Sequence, residues 1–342
     1  MPTSSRQFPL PMTVSPLPAA SLSSVPAEAA ALLARLTDPD STVRRIALFE
    51  LADLEDSALL PAFVEALRED PSPDVRREAA AVLAAWEQDD VVEALCAALL
   101  DADDDVRATA AQSLSELKEL PSGHVLRRWA ARPEPFVRRS VLRGLRELRF
   151  ADAFEPALSA LPDPNADVRI EAVAVLGWLK DARALAPLAS LAAGDADADV
   201  RRAAVGALGF ALASDPAIVD ALLAALRDDA WQVREEAATT LGKLRAPSAS
   251  EALIAALDDV YWQVRLRAVR ALGLLRDAQA ASAVAPLLSH TISNLRKEAA
   301  LALGDLGSRE SLPALQAALE DRDPDVRKAI RIAISQIEGA AQ

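Results

Sequence analysis

The sequence predicts an all-α fold, a right-handed α-α solenoid of about ten helical hairpins. Three observations carry this. The first is a period. Val-Arg recurs at Val43, Val75, Val106, Val137, Val168, Val200, Val233, Val264 and Val326, and Leu295-Arg296 fills the one gap. Successive positions lie 31 to 33 residues apart, and a fixed period in this range marks stacked repeats. The second is composition: 51% of residues are hydrophobic but only 4% aromatic. Ala and Leu supply the bulk, which suits thin, closely packed helices. The third is the lack of alternating Val, Ile and Thr runs of the kind that form strands.

Taken in order, residues 1–25 are rich in Pro and Ser without periodicity and are expected to be a disordered tail. Residues 26–338 form the repeat array, read as a single solenoid, and 339–342 a short C-terminal tail. Each repeat holds a helix A followed by a helix B that begins at the Val-Arg. Counting from that valine as zero, position +4 is mostly Ala (Ala47, Ala172, Ala204) and +8 is Leu from Leu51 through Leu303. Positions 0, +4, +8 and +11 fall within an arc of about 80° on a helix, so they form the buried stripe. Helix A carries a proline near its first turn at Pro61, Pro156, Pro187, Pro286 and Pro313, where it starts or bends the helix.

The turn between A and B holds Asp five residues before the valine in eight units, among them Asp70, Asp163, Asp228 and Asp321. A polar residue often directly precedes the valine, as at Asp74, Asp167 and Asp325, and reads as an N-cap of helix B. A repeated Arg beside a repeated turn Asp predicts a ladder in which the Arg of one unit bonds turn oxygens of a neighbour. Glycine recurs at +9 (Gly177, Gly209, Gly242, Gly273, Gly304), consistent with close helix packing.

The pattern Asp-Pro-x-x-x-Val-Arg-x-x-Ala-x-x-x-Leu-Gly-x-Leu, clearest from Asp163-Pro164 to Leu179 and again around Pro324-Val326-Arg327, resembles the bacterial HEAT-like repeat first named for the phycobilisome lyases. The resemblance covers nearly the whole chain. It implies a binding platform, since most such solenoids bind partners. Some are bilin lyases, and distant relatives include a DNA glycosylase and a di-iron hydroxylase.

Composition narrows the function. The net charge is -14, which argues against general binding to phosphate backbones. The one cysteine, Cys96, cannot form an internal disulfide and reads as a small core residue, which fits a cytoplasmic location. No run of about 18 apolar residues predicts a membrane span, and Pro9, Pro11, Pro16 and Pro18 interrupt any signal-peptide core. The hydroxylase reading needs His-Glu pairs, but His124 and His290 are followed by Val125 and Thr291. No catalytic residue, metal site or cofactor is predicted.

What departs from the repeat is more informative. Residues 118–150 carry nine basic and three acidic residues, and Arg132 replaces the turn Asp. The face opposite the buried stripe, near +2, +6, +9 and +13, is expected to line the concave surface. It carries Arg139, Arg143, Arg146 and Phe150 in the fourth unit, Arg202 in the sixth and Arg270 in the eighth, with small or apolar residues such as Ile170, Ala174 and Gly206 between them. Trp178 and Phe210 stand at +10 in consecutive units, at the edge of this face. Two readings stay open: a solvated face whose arginines neighbouring acids balance, or a patch that captures an acidic partner. In the second, the protein is a non-catalytic scaffold or adaptor binding a protein or peptide through Arg139, Arg143, Arg146, Trp178, Arg202, Phe210 and Arg270. The alternative is a lyase-like or chaperone-type protein whose groove holds an apolar carboxylate ligand such as a tetrapyrrole. Trp231, Tyr261 and Trp262, just before the Val-Arg, are expected to pack against adjacent turns.

Overall fold

The computed structural model describes residues 27–339. The expected tail, 1–25, lies outside the described residues, as do residues 340–342. The described residues form two compact units, the first ending at Ser113 and the second starting at Leu114. Among the described residues both are helical, without a strand.

Unit 1 holds α1 (Ala27–Arg35), α2 (Ser41–Ala52), α3 (Leu60–Glu69), α4 (Pro73–Val82), α5 (Asp89–Ala98) and all but the last two residues of α6 (Asp104–Ser115). Unit 2 holds α7 (Ser122–Trp129), α8 (Pro135–Glu147), α9 (Phe154–Ala160), α10 (Ala166–Leu179), α11 (Leu185–Gly194), α12 (Ala198–Ala207) and α13 (Pro216–Ala225). It continues with α14 (Trp231–Leu244), α15 (Ser250–Ala255), α16 (Trp262–Leu275), α17 (Ala281–Val284), α18 (Ser293–Leu306), α19 (Leu312–Ala317) and α20 (Pro324–Gly339). Odd-numbered helices are the A helices and even-numbered ones the B helices. α20 runs through Gly339, one residue into the expected C-terminal tail.

The stripe that holds each hairpin is the one periodicity predicts. In α10, Val168, Ala172 and Leu176 are fully buried, and the equivalent residues recur in α12, α14, α16 and α18. Burying a side chain such as Val or Leu stabilises by about 1.5–3 kcal/mol. Ala at +4 lets the neighbouring helix come close.

The B helices begin two residues before the valine, not on it. The cap is therefore at -3. Asp40 accepts from the Thr42 N–H, Asn165 from Val168, and Asp197 from both Asp199 and Val200. Asp74, Asp167 and Asp325, read from sequence as caps, sit inside the first turn. Their carboxylates complement the positive end of the helix dipole instead.

Several B helices end in a left-handed residue at +12. Unit 2 places Arg149 (φ 58°), Lys180 (φ 54°), Arg245 (φ 52°) and Arg276 (φ 56°) there, and Gly307 (φ 67°) in the ninth hairpin. An L side chain pays roughly 1–2 kcal/mol in this region, and glycine pays almost nothing. This stop explains a miss. Phe150, expected on the exposed face, is only 6% exposed. The helix reverses at Arg149, so the ring turns inward, meets the edge of His124 at 5.0 Å and packs on Gly123, where a Cβ would have no room.

The recurring glycines pack against the next B helix. A Cβ at Gly242 would lie 2.9 Å from the Ala271 Cα, and one at Gly273 3.1 Å from the Ala302 Cα. Gly209 is looser: the nearest atom to its Cβ would be Thr240 Cγ2 at 3.8 Å. Here α12 stops early and tightens into a 3-10 turn, Leu208–Phe210.

Candidate functional site

The ladder expected from sequence is present in both units. In unit 1, Arg44 and Arg76 donate through Nε and Nη2 to Asp70 and Asp101 of the following hairpin, at 2.7–2.8 Å. In unit 2, Arg138, Arg169, Arg201, Arg234 and Arg296 hold Asp163, Asp195, Asp228, Asp259 and Asp321 in the same bidentate way. Nη1 of each donates to a carbonyl of its own turn, as Arg201 does to Asp195 O at 2.9 Å. Hydrogen bonds from Arg76, Arg201 and Arg296 hold the Asp101, Asp228 and Asp321 carboxyls below the usual carboxylate range. For Asp195 and Asp259 burial pushes up, but the arginine and the backbone N–H two residues on outweigh it. These arginines are structural.

One rung is missing inside unit 2. His290 stands where Arg265 would find its Asp. His290 Nδ1 accepts the Ile292 N–H at 3.0 Å, as the Asp elsewhere accepts the amide two residues on, but it holds no arginine. Arg265 Nε is left buried without a hydrogen-bond partner. Burial, with Arg265 and Arg296 close by, lowers the His290 pKa.

The B-helix face of unit 2 carries the residues predicted for binding. Most of its arginines are already paired. Arg139 meets Asp167 at 3.1 Å, and Arg146 meets Glu171 at 2.9 Å and Glu147 at 2.8 Å. Arg202 meets Asp199 at 3.2 Å, one turn away, and Arg270 meets Glu298 at 2.7 Å. Burial pushes the Glu171 carboxyl up, against the pull of Arg146, Arg143 and Arg139. Arg143 is the exception: it is exposed and makes no ion pair among the described residues.

Beside Arg143 the face turns apolar. α10 buries its Val168 stripe and also presents Ile170, Ala174 and Gly177 on the other side, with Trp178 40% exposed. Between α10 and α12 lies a cavity of about 390 Å³, open on one side. Its floor is Ile170, Val173, Ala174, Gly177, Gly206 and Phe210. Gly209, whose loose junction is with α14, also lines it, at the 3-10 end of α12. Lys180 and Lys243 also line it, and no carboxylate does. Both lysines lack ion pairs among the described residues. Sequence periodicity places Ile170, Ala174 and Gly206 on this face and Phe210 at its edge, but neither Val173 nor the lysines. Lys180 comes in through the left-handed helix end, and Lys243 from α14 in the next hairpin.

Of the aromatic residues before the valines, Trp231 and Tyr261 pack on each other from adjacent hairpins. Trp231 stacks on Tyr261 at 5.4 Å, 16° from parallel, and the Arg234 guanidinium lies 5.7 Å from the Tyr261 ring. Cys96 is buried. Among the described residues no His, Cys, Asp and Glu cluster could hold a metal, and no helix is long and apolar enough to cross a membrane.

HEAT-repeat models match residues 29–119, 124–209, 187–265 and 250–335. Solved structures of similar fold include an engineered protein (TM-score 0.52, 22% identity, covering 91% of this chain and 99% of that one). YibA of Escherichia coli matches with a TM-score of 0.57 and 20% identity, over 79% of this chain and 98% of that one. The karyopherin Kap121p, bound to the extreme C-terminus of the protein phosphatase Cdc14p, matches with a TM-score of 0.57 and 16% identity over 92% of this chain. The chain spans only 42% of Kap121p. No curated protein sequence matches the chain significantly. At these identities the structural likenesses speak for fold alone, but the repeat matches run from α1 to α20, and the chain belongs to the HEAT-repeat family.

Proposed function

We propose that the B-helix face of unit 2 is a docking platform for a protein partner and that the protein works as a non-catalytic scaffold or adaptor. The observation that carries this is α10. A helix in a two-layer stack needs one apolar stripe. α10 has that stripe, and it also leaves Ile170, Ala174 and Trp178 on its open side. A half-exposed apolar face next to an unpaired Arg143 has the composition of a protein interface centre, where aromatic and Arg residues concentrate binding energy. Kap121p, of the same fold, binds the extreme C-terminus of Cdc14p and also binds Nup53p. The paired arginines Arg139, Arg146, Arg202 and Arg270 shape the rim rather than drive capture, because their charge is already balanced.

The test is Arg143→Glu in the full chain, followed by capture of partners from the source cells. Replacing Arg146 as well would leave Glu171 unpaired, so the single exposed change is cleaner. The expected result is loss of the partner with unchanged helicity by circular dichroism. Retention of the same partner at the same yield overturns the placement.

A further inference from the structure

We propose that the cavity between α10 and α12 is a specificity pocket for one apolar side chain flanked by carboxylates, in an extended acidic segment of a protein partner. This rests on the docking reading above and names what the platform recognises.

Two features converge on this place. The first is shape. In the fifth, seventh and eighth hairpins the +9 glycine lies against the next B helix, but in the sixth Gly209 keeps its distance from Thr240 and α12 ends early. Of these four junctions only the one between α12 and α14 is loose, and Gly209 and Lys243 from its two sides line the cavity, while Gly177 packs α10 closely on α12. The floor of Ile170, Val173, Ala174 and Phe210 cannot satisfy a polar group, so it selects an apolar one. The second is charge. The chain is acidic overall, yet the pocket is lined by Lys180 and Lys243 with no carboxylate. Two unpaired ammonium groups at the rim complement carboxylates beside the anchoring side chain.

Lys180 holds a left-handed conformation at φ 54°, as Arg149, Arg245 and Arg276 do in other hairpins, so the strain belongs to the repeat and not to the cavity. The same position in the ninth hairpin is Gly307, at φ 67°, so the fold accepts glycine there and Lys180→Gly removes the ammonium without harm to the stack. A protein segment fits better than a nucleic acid. The apolar floor takes a side chain, and two lysines are too few to hold a run of phosphates on a chain of net charge -14.

The experiment selects from a display library of short random peptides on the full chain, then measures the selected peptides by fluorescence polarisation. The selected peptides should carry an aliphatic or aromatic residue between Asp or Glu residues. Lys180→Glu with Lys243→Glu should weaken them about tenfold or more, and high salt should weaken them further. Ala174→Met, which fills the floor without changing charge, should weaken them too. Lys180→Gly is the decisive variant. It should raise the unfolding temperature by relieving strain while weakening the peptide, whereas a purely structural lysine would leave binding unmoved. The pocket is overturned if no acidic-apolar peptide is enriched, if free fatty acids or tetrapyrroles bind there instead, or if Lys180→Gly and Ala174→Met bind peptide like the unmodified protein. Peptides lost on Arg143→Glu but indifferent to the pocket variants overturn the pocket and keep the platform. Peptides indifferent to all of these changes overturn both.

Discussion

Arg201 and Arg202 are neighbours in α12, and their fates differ. The Arg201 side chain is 16% exposed, grips Asp228 with two nitrogens at 2.7 and 2.8 Å and donates a third bond to its own turn. The Arg202 side chain is 50% exposed and meets Asp199 at 3.2 Å. The same guanidinium is a structural bolt on the turn edge and a loosely held surface charge on the B-helix face. What separates them is desolvation and geometry. A bidentate, nearly buried pair is expensive to break, and an exposed pair one turn away contributes little.

Acid should break the turn edge first and most. The ladder carboxyls of Asp101, Asp195, Asp228, Asp259 and Asp321 are all held below their ordinary values. Their stabilisation is complete above the unfolded carboxylate pKa, about 4, and is lost as pH falls through the depressed folded values. Glu171, raised by burial, has the opposite sign: its contribution is complete in acid and lost as pH rises through its folded value. One such group cannot offset five rungs. The unfolding temperature followed by circular dichroism should drop more on acidification than after any single substitution below; an unchanged midpoint below about pH 3 would refute the ladder's role.

A single broken rung is the next largest effect. Asp228→Ala leaves Arg201 and the Ala230 N–H without their acceptor and should cost about 2–4 kcal/mol, read from urea unfolding. Repairing the missing rung is smaller and opposite in sign. His290→Asp supplies the acceptor that Arg265 Nε lacks and should stabilise by about 1–2 kcal/mol; Arg265→Gln should cancel that gain. Last comes the B-helix face. Arg202→Ala should change stability by less than about 0.5 kcal/mol. A larger loss would mean that the two regions are not as different as the geometry says.

The ladder was legible in the sequence because it is periodic: Arg at +1 and Asp at -5 recur, and repetition itself predicts neighbouring turns. The cavity floor was legible for the same reason, since Ile170, Ala174, Gly177 and Gly206 sit at +2, +6 and +9. Three things were not. The pairing of Arg146 with Glu171 and of Arg270 with Glu298 needs the register between hairpins, although an acid at +3 of the following unit is a signal that could have been sought. The inward turn of Phe150 and the reach of Lys180 into the cavity depend on how the helix ends, and helical periodicity does not extend past its last turn. The loose α12–α14 junction at Gly209, which lines one side of the cavity, reads in sequence like every other glycine at +9.

The empty place beside Arg265 has a consequence for how unit 2 comes apart. A stack whose members touch only their neighbours behaves as a one-dimensional cooperative chain, with an intrinsic term for each member and a coupling term for each junction. The rung is part of the coupling. Between the eighth and ninth hairpins that part is absent, so the boundary between ordered and melted segments has its lowest energy there. Amide exchange should therefore show α18 and α20 opening together as one block, with the step in protection falling between α16 and α18.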